Sequence, residues 1–342
     1  MSRNLVAFVS SMIFVLLVAA LVFIPVPFVA WRPGQTVDVL SSDADGPLIE
    51  ITGIQTSDNG GSLFMTTVST RRVIGLPEAM IAHLAGDSDA MLHDVVYPPE
   101  KTSEELQSEA VVGMDSSRSE AAVAALRAAG QAVTEMPMVS GVSRSGPAAH
   151  LLQPGDLIET VNGNAVTTRE EIDSAIQGAG PGKDVVFQVI RAGAAKSVTV
   201  KTATGSDGRV IVGINLGDGY RYAPTITYRI DPNVLGSSAG LVFALAIYDR
   251  ITPGKIIQGK VAGTGTIDAS GKVGIIGGIR EKIKGAEKAG AKVFLLPKDN
   301  CAGIGDLSTE VRLIPVSTLR DAIAALQLLN ESETNPEVQA CG

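Results

Sequence analysis

Cysteine, histidine and aromatic residues are scarce in this chain, and each scarcity removes a class of function. Two cysteines (Cys301, Cys341) and three scattered histidines (His83, His93, His150) cannot build a multi-cysteine zinc site or a disulfide-dense scaffold, so no metal and no cofactor is expected. Positive charge is also short: 28 Lys and Arg stand against 36 Asp and Glu, a net charge of −8. Phosphate contacts need clustered cations, so nucleic acid is not an expected partner. The sequence has no repeat of solenoid length and no low-complexity tract. What remains is globular in composition, with 45% hydrophobic residues, 37 glycines and 17 prolines. Of 342 residues, the 311 after position 31 suit two domains.

Charge of either sign is missing between Arg3 and Arg32. The run 5–24 is interrupted only by Ser10 and Ser11, and at about 1.5 Å per residue it reaches about 30 Å as a helix, the thickness of a bilayer's hydrocarbon core. Pro25 and Pro27 stop such a helix, and Trp31 with Arg32 suit the headgroup layer. A cleaved signal peptide has an apolar core of only about 7–15 residues, and Phe28-Val29-Ala30 is a poor cleavage site. Residues 1–31 therefore read as a cytoplasmic tip and a transmembrane anchor. The α-amine and Arg3 precede the span, and Arg32 alone follows it before Arg71, so the positive-inside bias places the amino terminus in the cytoplasm. The expected location is the cell membrane, crossed once, with the bulk of the chain extracytoplasmic.

Residues 32–130 begin with strand-like runs at 36–40, 48–51 and 62–68, separated by Gly, Asp and Ser turns. From 77 to 130 the pattern is helical, with Gly130 as its C-cap, and the whole segment is expected to pack on the later domain. Residues 131–203 form one unit: strands at 139–142, 157–161, 184–191 and 197–201, and a helix 169–177 capped by Thr168 and Glu171. Ser206-Asp207-Gly208 reads as a joint, 207–330 as a further domain, and 331–342 as a loose polar tail. The expected fold class is α+β throughout. Gly146-Pro147-Ala148-Ala149, Pro154-Gly155-Asp156-Leu157-Ile158 and Val161-Asn162-Gly163 make 131–203 resemble a PDZ domain of the bacterial protease-associated type. That resemblance implies an extended peptide added as a strand beside 139–142, under the 168–177 helix, with a carboxylate-binding loop near 130–133. Gly130-Gln131-Ala132-Val133 departs from the glycine–aromatic pattern of such loops.

Gly236-Ser237-Ser238-Ala239-Gly240 lies between a β-rich run, 225–230, and an apolar helix, 241–248. It matches G-x-S-x-G, the nucleophile elbow of α/β-hydrolases. That fold places its histidine after the serine, whereas all three histidines here precede Ser238. A serine without histidine can use an uncharged lysine as its base. On the amphipathic helix expected at 279–292, wound at about 100° per residue, Lys282 falls between Ala286 and Ala289 on the apolar side. Lys284, Lys288 and Lys292 fall on the polar side, with Glu281. Burial there lowers a lysine pKa from about 10.4 toward about 7–8.

These motifs continue in order: Gly263-Thr264-Gly265-Thr266-Ile267, Gly271-Lys272-Val273, Gly277-Gly278-Ile279-Arg280-Glu281-Lys282 and Ala289-Gly290-Ala291-Lys292-Val293. Residues 208–328 thereby resemble the proteolytic domain of the Lon family of serine peptidases. The resemblance implies a Ser–Lys dyad with Ser238 as nucleophile, Lys282 as general base and Thr264 bonded to the lysine. It also implies a ring assembly, a homo-hexamer. Ser237 stands where the family usually has proline, and Arg280 where it usually has lysine. A Walker A loop requires G-x-x-x-x-G-K-[ST]; Gln177 and Asp184 break it around Gly182-Lys183, as do Thr266 and Val273 around Gly271-Lys272. The expected function is an ATP-independent serine endopeptidase acting on unfolded or extended segments that a PDZ domain recruits or gates. The alternative is a non-catalytic, membrane-anchored peptide-binding adaptor. Two cysteines leave their pairing open: a Cys301–Cys341 disulfide, or a buried free Cys301 and a disordered Cys341.

Overall fold

The computed structural model describes residues 3–23, 25–84, 89–332 and 334–341; Ile24 of the expected span, residues 333 and 342 of the expected tail and the side chain of His83 lie outside the described residues. The principal elements begin with α1 (Arg3–Phe23), β1 (Phe28–Asp38), β2 (Ile49–Thr52), β3 (Ser62–Arg71), α2 (Leu76–Leu84), β4 (Asp89–Leu92), α3 (His93–Val96) and α4 (Ser103–Ala128). Next come β5 (Thr134–Val142), β6 (Leu157–Val161), α5 (Arg169–Ala179), β7 (Asp184–Arg191), β8 (Ala194–Lys201), β9 (Val210–Ile211) and β10 (Ile214–Arg221). The chain finishes with β11 (Thr225–Tyr228), α6 (Gly240–Ile251), β12 (Lys260–Gly263), α7 (Ile279–Lys288), β13 (Val293–Pro297), β14 (Arg312–Val316) and α8 (Leu319–Glu331). The class is mixed α+β. Two compact units result, one from 1–131 with 224–342 and the other from 132–223.

The first unit is built on a six-stranded sheet ordered β14-β13-β12-β3-β1-β4. β3, β12, β13 and β14 run parallel, while β1 is antiparallel to both β3 and β4. Alternation along the strands gives the sheet two buried faces. Phe64, Ala262, Phe294 and Leu313 meet Ile279, Ile283 and Ala286 of α7 on one face. Their neighbours Leu63, Met65, Val261 and Leu295 are buried as well, as expected of strands covered on both sides. α6 is apolar almost all round and ten of its twelve residues are buried, the signature of a central helix.

Segment 32–130 does more than pack on the later domain. β3 pairs with β12 from Ser62↔Lys260 to Met65↔Gly263, so these early strands complete the later domain's own sheet and cover an edge it would otherwise expose. β1 also starts at Phe28, inside the stretch expected to be anchor. The expected helical run from 77 is interrupted by β4, where Ala30 faces Ala90. α4 opens on a capping box at Thr102 and Glu105, and Gly130 follows its end with φ +72 while Gln131 N donates to Leu126 O. The tail is not loose. Cys301 and Cys341 form a disulfide, Cys341 N donates to Leu313 O at 3.0 Å, and Val338 is buried. Within α1 the described side chains run unbroken only over 5–19, and no helix among the described residues is long and apolar enough to cross a membrane.

The second unit is an antiparallel sheet ordered β8-β7-β6-β5-β10, closed by α5. Ile158, Val161, Ile172, Ile176, Val185 and Phe187 form its core. Thr168 and Glu171 make the capping box of α5. The expected joint at 206–208 is instead a turn inside this unit: Gly208 has φ +80, and the chain continues into β10, which pairs with β5 from Ile214↔Val142 to Arg221↔Thr134. The unit therefore closes at 223, where its last strand lies beside its first.

Candidate active site

Ser238 stands at the entry to α6, in a turn that the flanking elements hold from both sides. Gly236 N donates to Ala110 O at 3.0 Å and Ser117 Oγ to Ser237 O at 3.1 Å, so α4 grips the turn. Both glycines of the pentapeptide have a reason in the backbone. Gly236 has φ +95, a left-handed value that a side chain disfavours. A Cβ on Gly240 would meet Ile267 Cγ2 at 2.8 Å and Ser117 Oγ at 2.9 Å. On the other side of the site, α7 starts from Gly278 (φ +67), and its first turn carries Lys282 inward at 3% exposure.

The structure brings the three expected site residues together. Lys282 Nζ lies 2.6 Å from Ser238 Oγ and 3.0 Å from Thr264 Oγ1. Ser237, the adjacent serine, is exposed and turns its carbonyl to Ser117. Thr264 Oγ1 donates to Ser238 O at 3.1 Å, and Gly265 N donates to the same carbonyl at 2.9 Å. Because the Thr264 proton is committed to Ser238 O, its lone pairs are what face the lysine. An uncharged Lys282 therefore donates to Thr264 and turns its own lone pair toward Ser238 Oγ. Burial lowers the Lys282 pKa from 10.5 to about 8.

Glu281 overturns the helical-wheel expectation. It was expected on the polar side of α7 with Lys284, yet it is 1% exposed and neither carboxylate oxygen has a hydrogen-bond partner among the described residues. Burial, aided by the nearby Asp89, raises its pKa from 4.5 to about 7. The wheel assumed one packed side, whereas α7 also meets β1, where a Cβ added to Gly285 would lie 3.9 Å from Pro33 Cβ. Only the sheet context, invisible in a local pattern, puts Glu281 inside.

Ser238 and Lys282 open into a cleft of about 720 Å³, lined also by Trp31, Val68, Arg72, Tyr97, Met114 and Leu235. None of these last six was singled out from sequence as part of the site; Leu235 sits just before the serine turn, and the other five come from β1, the β3 end and the α3–α4 region, far away in the chain. The second unit has a separate groove of about 420 Å³ between α5 (Arg169, Asp173, Ile176, Gln177) and 209–216. This corrects the expected peptide site beside 139–142. β5 is already flanked by β6 and β10, so the free edge of this sheet beside α5 is β10, whose start at 214–216 lines the groove. Residues 130–133 do not border that groove. At one end of it the Gln177 side-chain amide occupies both backbone groups of Val210, donating to its carbonyl at 2.7 Å and accepting from its N–H at 3.1 Å.

Comparison with known proteins places two families on the chain. Residues 233–327 match the family described as "Lon protease (S16) C-terminal proteolytic domain", and 113–202 match "PDZ domain". The PDZ match starts inside α4 and stops before β10, so it is offset from the compact unit 132–223. The Lon protease of Chloroflexus aurantiacus is 39% identical over 103 residues, which is 29% of this chain and 12% of that protein. Lon protease 1 of Sorangium cellulosum is 42% identical over 93 residues, 26% of this chain and 11% of that protein. The chain thus covers about a tenth of these curated relatives. The PDZ domain of the SdrC-like protein from Listeria monocytogenes is 27% identical, with a TM-score of 0.23, over 24% of this chain and 86% of that one.

Proposed function

We propose that this chain is an ATP-independent serine endopeptidase in which Ser238 attacks peptide carbonyls with Lys282 as its general base. The observation that carries the reading is the 2.6 Å approach of a buried lysine amine to Ser238 Oγ. A pKa near 8 leaves a usable fraction of amine uncharged at neutral pH. Lys282 takes the serine proton as Oγ bonds to the carbonyl carbon. The tetrahedral oxyanion forms at the amino-terminal end of α6, where the helix dipole is positive. Collapse expels the amine, which receives the proton from Lys282, and water then hydrolyses the acyl-Ser238 by the reverse relay. Thr264 is a positioning residue: it holds the amine so that its lone pair faces Oγ.

Substrates are unfolded or extended segments, recruited or gated by the second unit, whose groove beside α5 suits an added peptide strand. α1, with exposed apolar side chains such as Phe8, Phe14 and Leu17, is the membrane anchor, its amino terminus cytoplasmic and the catalytic unit extracytoplasmic. The Cys301–Cys341 disulfide supports an oxidising compartment. Assembly as a homo-hexameric ring belongs to the same reading. The test compares the full chain with Ser238→Ala, Lys282→Ala and Lys282→Arg on a denatured protein without ATP. Cleavage by wild type alone supports the dyad, since arginine cannot deprotonate at Ser238. Cleavage that survives Lys282→Arg would overturn the base assignment, and a folded wild type without cleavage would favour the peptide-binding adaptor.

A further inference from the structure

α2 carries one acidic residue, Glu78, which pairs with Arg32 and Arg71, and beside it presents large apolar side chains to solvent, which a helix facing water ordinarily does not. Its small residues Ala79 and Ala82 are buried against Ala30 and Ile74, while its large ones face outward: Met80 is 55% and Ile81 62% exposed. Leu76 joins them on the outer face, and Val73, Leu92 and Val95 are exposed around them, at 70%, 53% and 63%. The backbone places all six at one end of the sheet, where the chain leaves α1. Val26 N donates to Ile74 O and His93 N to Pro27 O, each at 3.0 Å. Pro25 bridges Gly75, and Gly75 packs on the Val22 carbonyl with no room for a Cβ. Leu92 sits opposite Phe28 in the strand register. The patch is therefore continuous with the last turn of α1. Arg71 and Arg72 rim it, Arg71 with its side chain 62% exposed and Arg72 stacked 4.5 Å from the Tyr97 ring, a combination that suits the headgroup layer.

We propose that this apolar end of the first unit seats in the bilayer surface, with α2 lying along the interface as a second, shallow contact beside the anchor. The inference rests on the anchor reading of α1. Continuity with the exit of α1 selects lipid over a second copy of the chain as the occupant. Arg72, Val96 and Tyr97 also line the catalytic cleft, so the seating holds the cleft mouth next to the headgroups and favours substrate segments close to the membrane.

The test uses the full chain in phosphatidylcholine–phosphatidylglycerol vesicles, nitroxide-labelled at single introduced cysteines. The two native cysteines are joined to each other and stay unlabelled. Ile81→Cys reports the patch, with Met80→Cys as its substitute if the first variant fails to fold. Val15→Cys reports the anchor, and Asp58→Cys reports the loop that leads into the opposite end of β3, a ten-residue strand about 33 Å long at about 3.3 Å per residue. The expected result is a ratio of oxygen to nickel-chelate accessibility at 81 several-fold above that at 58, and below that at 15. A label at 81 as wet as that at 58, with 15 deep in lipid, overturns the seating and leaves the anchor standing. Spin–spin broadening at 81 between copies overturns it in favour of a protein interface. A wet label at 15 removes the anchor reading, and the seating with it.

Discussion

Lys282 is held in the core by the same packing that lowers its pKa, so its charge opposes folding at neutral pH. Its folded value near 8 lies below the unfolded 10.5. The unfolded chain thus binds more protons between those values, and stability rises with pH across that window. Lys282→Met is expected to abolish cleavage while raising stability at pH 7 by about 3 kcal/mol, the order set by 1.36 kcal/mol per pKa unit; denaturant titration of the variant checks it. Glu281 has the opposite sign. Its folded value near 7 lies above 4.5, so the folded state holds the extra proton and stability falls as pH rises between them. Glu281→Gln should flatten that fall, and equal slopes for variant and wild type between pH 5 and 7 would contradict the burial of an unpartnered carboxyl. For Thr264, removing only the hydroxyl with Thr264→Val is expected to lower kcat about tenfold or more and to disturb its pH midpoint. Thr264→Ser should restore both.

The elements that carry these side chains were readable to different depths. Ser238, Thr264 and Lys282 sit in short motifs whose glycines have local reasons, and the helices at 169–179 and 240–251 announced themselves by a capping box and an apolar run. β4 did not, since Asp89–Leu92 has too few residues to show a period and exists only because Phe28–Trp31 is there to pair with it. β10 was misplaced for the same kind of reason: a strand containing Gly217 and Gly219 has little β propensity of its own, and its register with β5 decides it. Gly240 turns this view into a prediction. Gly240→Ala should destabilise the fold by about 1–3 kcal/mol and cost most of the activity. Its Cβ has no space between Ile267 and Ser117, and the turn bearing Ser238 must shift. Activity retained at wild-type level, with unchanged thermal unfolding, would contradict this.

Across the whole molecule, the early segment and the later domain share one sheet, which composition and domain spacing did not reveal. A fragment beginning near 130 would lose β1, β3 and β4, exposing the edge of β12 and removing Trp31 and Tyr97 from the cleft. Such a fragment is expected to be insoluble or inactive even with its dyad intact, which expression and a cleavage assay check. At the other end of the chain, the disulfide closes a separation of 40 residues, worth about 3–4 kcal/mol in the chain-entropy model. Cys341→Ser should lower the unfolding midpoint measurably and leave the dyad geometry unchanged. The proposed chemistry depends on one contact, Lys282 Nζ against Ser238 Oγ. The measurement that tests it most directly is acylation by a peptidyl β-lactone, followed site by site by mass spectrometry across pH 6 to 10. The expected adduct is on Ser238, forms at a rate that rises through a midpoint near 8, and is absent from Lys282→Ala. An adduct on Ser237, or one on Ser238 at a rate indifferent to pH and to Lys282, would contradict the account.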